Sequence, residues 1–237
     1  MPNNNINGNG RRVAGKHPTA DDIELFRTIE STLYTAVIAD ALDELGYHDQ
    51  AMREYLRPLF PEATCAGWAR TIQCQDIFYR PEDPYGLEIE AVDSILPGEV
   101  VAVGTGQSKR NAPWGELLST AARARGARGA VVDGLVRDVR TIQKLAFPVF
   151  AAGIKPVDSS GRGLVVDYNV PVQCGGIVVN PGDLVFADYD GVVVVPRNIL
   201  QETLRLAHTK ATKEKHSRTA LLQGDYLADV FAKYGVL

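Results

Sequence analysis

The stretch from Gly115 to Asp138, GELLSTAARARGARGAVVDGLVRD, constrains the fold more than any other part of the chain. Ala121, Ala122 and Ala124 favour a helix, because alanine has no side-chain freedom to lose there, and Leu117 and Leu118 supply its apolar face. Gly126 ends that helix, since glycine enters the left-handed C-terminal position without a Cβ clash. Ala130, Val131 and Val132 then form a short apolar run of the buried-strand kind, closed by Asp133-Gly134, a turn signal. Beyond the turn, Arg137 and Asp138 stand side by side at what reads as the start of another helix. This alternation of helix and strand belongs to an α/β domain.

The same stretch carries chemistry. Glu116 is separated from Arg137-Asp138 by twenty residues, the length of one helix out and one strand back, so the two ends return to one end of a sheet. Glu116 falls in the first helical turn, where free backbone N–H groups also point outward. The resulting pocket offers two carboxylates, one guanidinium and a helix N-terminus. Carboxylates with water suit a hard ion such as Mg2+ or Mn2+, the free amides suit a small carboxylate, and the arginine suits a carbonyl or enolate oxygen. A 2-oxo acid fits that set. The competing reading is that each group is an ordinary solvated or ion-paired surface residue.

Composition narrows the alternatives. A chain of 237 residues with a net charge of −4 can bury a full core and presents no overall basic character for nucleic acid. Cys65, Cys74 and Cys174 lack CxxC spacing, which predicts buried thiols in a reducing compartment instead of zinc or disulfides. No apolar run is long enough for a membrane span and no secretory core opens the chain, so the expectation is a cytoplasmic protein without membrane partners.

Residues 1–18, rich in Asn and Gly, read as a disordered arm, and residues 19–237 as one domain without a linker. Thr19 is a candidate cap for a first helix, and a second follows Thr35 up to Gly46. Residues 66–74 alternate in part, as a half-buried strand does, and residues 86–96 suggest a helix. Pro97-Gly98-Glu99 and Asn180-Pro181-Gly182-Asp183 are turns that each feed an apolar strand. Gly104 and Gly106 follow the first of these strands, either for close approach to a ligand or simply to turn. A long polar helix spans residues 198–217, and the remaining tail is amphipathic, suited to docking on the body or on a neighbouring subunit. His17, His48, His208 and His216 show no ligand spacing, while Asp188 and Asp190 read as turn residues and Asp133 as a structural pairing.

Glu116 followed at this spacing by Arg137-Asp138 resembles the family of the regulator of ribonuclease E activity A, the RraA-like family. That family includes class II 4-hydroxy-4-methyl-2-oxoglutarate/4-carboxy-4-hydroxy-2-oxoadipate aldolases. The likeness extends over residues 35–43, 57–59, 66–69 and 180–196. It implies a single compact swivelling β/β/α-type domain, here with a helical C-terminal extension, assembled as a homotrimer or a dimer of trimers. It implies a metal-dependent lyase releasing pyruvate from a 4-hydroxy-2-oxo acid, with oxaloacetate decarboxylation possible through the same enolate. Asp138 would bind the metal, Glu116 would hold it through water, Arg137 would bind the keto oxygen, and the amides of Leu117 and Leu118 would take the carboxylate. Two positions depart from the family pattern: Glu116 stands where Asp is frequent, and Thr141 where an acid often follows. Glu214 is a loose match for an acid lent by a neighbouring subunit. The family also implies a second function, a non-catalytic regulator that binds another protein.

Overall fold

The structure, a computed structural model, describes residues 18–236. The expected arm lies outside the described residues except for Pro18. Two helices open the described chain, α1 (Ala20–Thr32) and α2 (Thr35–Glu44). Thr19 caps α1 in a reciprocal box, its hydroxyl accepting from the Asp22 N–H while Asp22 accepts from the Thr19 N–H. The strands β1 (Arg57–Pro58) and β2 (Cys65–Asp76) lead to α3 (Gly86–Asp93), β3 (Glu99–Gly104), α4 (Glu116–Ala124), β4 (Gly129–Val136), α5 (Val139–Leu145) and β5 (Val149–Ile154). Then follow β6 (Gly163–Tyr168), β7 (Val172–Cys174), β8 (Ile177–Val179), β9 (Leu184–Ala187) and β10 (Val192–Val195), and last α6 (Leu200–Leu222) and α7 (Leu227–Tyr234).

Among the described residues eight strands make one sheet, in the order β1-β5-β4-β3-β2-β9-β10, with β6 pairing the far end of β2. Strands β2 to β5 are mutually parallel along this path, and the outer pairings are antiparallel. The period-two alternation of a strand explains the layering. Val101, Val103, Ala130 and Val132 face the helices α3, α4 and α5, while Val100, Ala102 and Val131 face a β layer formed by residues near Leu56 and by the β7–β8 hairpin. The domain is therefore β/β/α in section. Helices α1, α2 and α6 cover the β2–β9–β10 side, where Phe26 meets Trp68 edge to face at 5.0 Å.

Two local expectations change. Asp133-Gly134 does not turn the chain: β4 runs through it to Val136, with a register shift between Val132 and Leu135 against β5. The β3 register ends at Val132, and Asp133 and Gly134 fall in the shift against β5, which resumes at Leu135, so they form an irregular step within the strand and not a turn. Residues 66–74 are not half-buried but buried almost throughout, because both faces of β2 are covered. All three cysteines are free and buried, as expected. No helix among the described residues is long and apolar enough to cross a membrane.

Candidate active site

The end of β4 and the start of α4 are joined by main chain before any side chain is considered. Trp114 forms a parallel bridge to Val136, and the Arg137 N–H donates to the Trp114 carbonyl at 3.0 Å. Trp114 is itself locked: its indole N–H donates to the Ser119 hydroxyl at 2.8 Å, which donates to the Gly115 carbonyl at 2.9 Å. Gly115 leaves room for the side chains of Arg137 and Asp138. A Cβ at that position would lie 2.7 Å from Asp138 Oδ2 and 3.0 Å from Arg137 Cγ. The α4 N-terminus thus abuts Arg137-Asp138, and the Glu116 N–H donates to Asp138 Oδ2 at 3.3 Å.

With Gly115 as N-cap there is no side chain to satisfy the first-turn amides, so those of Leu117 and Leu118 face the cleft side without an intrahelical acceptor. Glu116 accepts from the Thr120 hydroxyl at 2.8 Å. Asp138 sits at φ 59°, ψ 30°, in the left-handed region, which a non-glycine residue adopts at a cost of roughly 1–2 kcal/mol. Such outliers concentrate at functional positions. Glu116, Leu117, Leu118, Arg137 and Asp138 line one cleft of about 300 Å3, continuous with a more open groove past Val139, Arg140 and Ile154.

Three further cleft residues escape the sequence reading. Asp158 pairs with Arg137 (Nη2 to Oδ1, 3.1 Å), and its other oxygen accepts from the Tyr85 hydroxyl at 2.6 Å and the Ser160 N–H at 3.2 Å. Arg137 Nε lies 3.6 Å from Asp138 Oδ2, so the guanidinium is held between two carboxylates. Burial alone would raise Asp158, but the Tyr85 hydroxyl, the Ser160 amide and Arg137 together hold its carboxyl below the ordinary range. Its hydrogen bond, with burial second, raises the Tyr85 phenol. Glu88, in the first turn of α3, moves the opposite way: burial, then the charge of Asp158, push it up to about 7 against the pull of Arg137. Only Glu88 had any local signal, an acid in an expected helix's first turn; Asp158 lies in an irregular loop.

The remaining candidates have structural partners. Asp188 accepts from the N–H and hydroxyl of Thr35 at 2.8 and 2.7 Å, closing the start of α2, and from the Asp190 N–H at 3.0 Å. Asp133 accepts from the Tyr55 hydroxyl at 2.5 Å. Glu214 accepts from the Tyr34 hydroxyl of its own chain. Gly104 serves close packing against the Gln173 carbonyl, which a Cβ would approach to 2.6 Å. Among the described residues no group of three or more His, Cys, Asp or Glu side chains converges on one point. His17 lies outside them.

An α/β domain of the swivelling β/β/α type with a helical C-terminal extension, carrying a charged cleft at the carboxyl end of a parallel strand, defines the class. The RraA-like family model (Aldolase/RraA) matches residues 35–194, and the chain belongs to that family. An uncharacterized protein of Methanocaldococcus jannaschii is 41% identical over 62% of this chain and 70% of its own length. A Halalkalibacterium halodurans protein named "Putative 4-hydroxy-4-methyl-2-oxoglutarate aldolase" is 32% identical over 85% of this chain and 89% of its own. The crystal structure of Streptomyces coelicolor RraAS2, described as an unusual member of the RNase ES inhibitor RraA protein family, superposes with a TM-score of 0.75. It is 28% identical, over 86% of this chain and 98% of that one.

Proposed function

We propose that the protein is a divalent-metal-dependent lyase that cleaves a 4-hydroxy-2-oxo acid to pyruvate. The observation that carries this reading is the Trp114–Val136 bridge, which brings the free amides of α4 against Arg137-Asp138 in one cleft. The donor set fits Mg2+ or Mn2+, which are commonly held by one or two carboxylates, with water and substrate completing the shell. Asp138 would be the direct ligand and Glu116 the ligand through water. When bound, the ion would supply Lewis acidity toward the substrate's carboxylate and keto oxygens.

The amides of Leu117 and Leu118 receive the carboxylate, and Arg137 donates to the keto oxygen. As the C4 hydroxyl loses its proton to solvent water, C4–O becomes a carbonyl and the C3–C4 bond breaks. The electron pair of that bond forms the C2=C3 double bond, and the C2=O π pair moves onto the oxygen facing Arg137; solvent returns a proton in the next step. Protonation at C3 then gives pyruvate. Loss of CO2 from oxaloacetate passes through the same enolate, so both activities use one set of donors. The active assembly would be a homotrimer or a dimer of trimers, acting on a small 2-oxo acid, in the cytoplasm. Pyruvate release from a panel of 4-hydroxy-2-oxo acids and oxaloacetate, with Mg2+ and with EDTA, tests the reading; full activity in EDTA would overturn it.

A second reading, a non-catalytic regulator that binds another protein, is favoured by the likeness to the ribonuclease-inhibitor structure and by exposed Leu222, Tyr226, Leu227 and Phe231 at the C-terminus. It predicts that removing the charge of Asp138 leaves partner binding unchanged.

A further inference from the structure

In the lyase reading solvent returns a proton to C3, and the cleft walls bear on how that proton arrives. With the carboxylate on the α4 amides and the keto oxygen on Arg137, C3 is left toward the rest of the lining. That wall is built by Tyr85, Glu88 and Ile89 at the start of α3, by Pro113 and by the Asp158 loop. Three of its side chains titrate. Asp158 accepts from the Tyr85 hydroxyl and pairs with Arg137, so these two acids are committed to each other and to the guanidinium.

Glu88 stands between two spaces. On one side it lines the cleft of about 300 Å3. On the other it lines a tight cavity of about 10 Å3, the room of one water molecule, together with Asp76, Ser108, Asn111 and Ser159. The Ser108 hydroxyl donates to Asp76 at 2.7 Å, and both residues also line a wider groove of about 400 Å3. A polar lining therefore runs from that groove through the tight cavity to Glu88 and on into the cleft.

The groups around Glu88 suit it to carry a proton both ways. Burial and the charge of Asp158 raise its carboxyl to about 7 against the pull of Arg137. The Cys74 thiol in the tight cavity is pushed up to about 12, by burial first and then by Glu88, and so stays protonated. Glu116 and Asp138 line the same cleft on the metal side. A carboxyl group that titrates near the working pH serves equally as donor and acceptor.

We propose that Glu88 is a catalytic residue, handing a proton to C3 of the enolate and drawing its replacement from solvent through the tight cavity behind it. This rests on the lyase reading and deepens it. The Glu88 carboxyl releases its proton to C3, the C2=C3 pair forms the new C–H bond, and the C2 carbonyl reforms. The carboxylate then takes up a proton from solvent, matching the one that the C4 hydroxyl gave up, so none is gained or lost overall. In reverse, the carboxylate removes a proton from the methyl group of pyruvate.

Two reactions of the intact protein with Mg2+ test this. Release of CO2 from oxaloacetate, above the rate with Mg2+ alone, reads formation of the enolate by C–C cleavage. Exchange of the pyruvate methyl protons for deuterium, followed by NMR, reads proton transfer at C3. Absence of both in the wild type overturns the lyase reading itself, whereas CO2 release without exchange overturns the role of Glu88 alone. In Glu88→Gln, exchange is expected to fall about a hundredfold or more, the usual contribution of a positioned acid or base, and the ratio of exchange to CO2 release at least about tenfold. The wild-type exchange rate should rise with pH as Glu88 ionises; that rise should vanish in Glu88→Gln and return in Glu88→Asp. A ratio unmoved in Glu88→Gln overturns the proposal, since a residue that only supports the fold lowers both reactions alike. So does a pH rise that persists in Glu88→Gln, or exchange that survives there and is lost in Glu214→Gln, which would put the acid on α6.

Discussion

Asp133 and Asp138 stand five residues apart on β4 and just beyond it, yet they live in opposite surroundings. Asp133 is 1% exposed, accepts from the Tyr55 hydroxyl and from the amides of Gly175 and Gln107, and is raised by burial although those donors oppose the shift. Asp138 is exposed, left-handed in backbone, and faces an arginine and a helix N-terminus. The first carboxylate is surrounded by donors that the fold supplies. The second sits on a left-handed backbone in a place that solvent reaches. Residue type alone separates neither; the neighbours do.

The widest separation between the two sites is expected in turnover. Arg137→Lys should lower kcat about a hundred- to a thousandfold, the usual loss of one preorganised oxyanion donor, roughly 3 to 4 kcal/mol, because an ammonium cannot reproduce the guanidinium fork. Asp138→Asn should do the same at ordinary Mg2+ and recover in part with excess metal. Steady-state kinetics alongside thermal melts check both: the melting temperature should stay near that of the wild type. If both variants simply unfold, the contrast with Asp133 collapses.

Asp133→Asn reverses the pattern. The amide replaces one of two acceptor oxygens by an N–H donor inside the protein, so stability should fall by about 1–3 kcal/mol in urea titration, with the activity of the folded fraction retained. Tyr55→Phe, which removes one of those donors, should cost about 1 kcal/mol. A silent Asp133→Asn would show that burial there carries little electrostatic weight.

A further effect concerns Glu88 and is seen only as a dependence on pH. Its folded pKa of about 7 lies above the model-compound value of 4.5, so the folded state binds this proton more tightly than the unfolded one. That contribution is fully present below the unfolded value and is lost as pH rises through about 7. Glu88→Gln should remove the loss and gain on the order of 1–3 kcal/mol over the wild type between pH 4.5 and pH 8, measured as the change in urea midpoint. Equal slopes with pH in both proteins would show that the Glu88 side chain is solvated.

Glu116 and Arg137-Asp138 were legible because one helix and one strand separate them, and helix length, glycine stop and apolar run are all local signals. Their partners were not. Asp158 reaches Arg137 from a loop without periodicity, and Tyr85 matters only because its hydroxyl meets Asp158. Nothing near either residue in the chain marks that meeting. Asp133-Gly134 misled for the converse reason: a strong local turn signal marks only a register shift inside β4, whose pairing with β5 resumes at Leu135. The β/β/α layering was expected through the family resemblance and not from any local pattern, and the covering of both faces of β2 depends on hairpins and helices that the strand's own residues do not announce.

The pairing of β2 also sets an order of events during synthesis. Its residues 65–68 and 72–76 bond to β9 and β6, whose last partners in the registers are Ala187 and Tyr168. At about 5–20 residues per second, the ribosome takes on the order of ten seconds to go from the end of β2 to β9. Through that interval one edge of a largely buried strand has no mate within the nascent chain. The parallel partner β3 can dock early, but the far edge stays open to strands of other chains, which makes β2 the segment where a folding delay turns into aggregation.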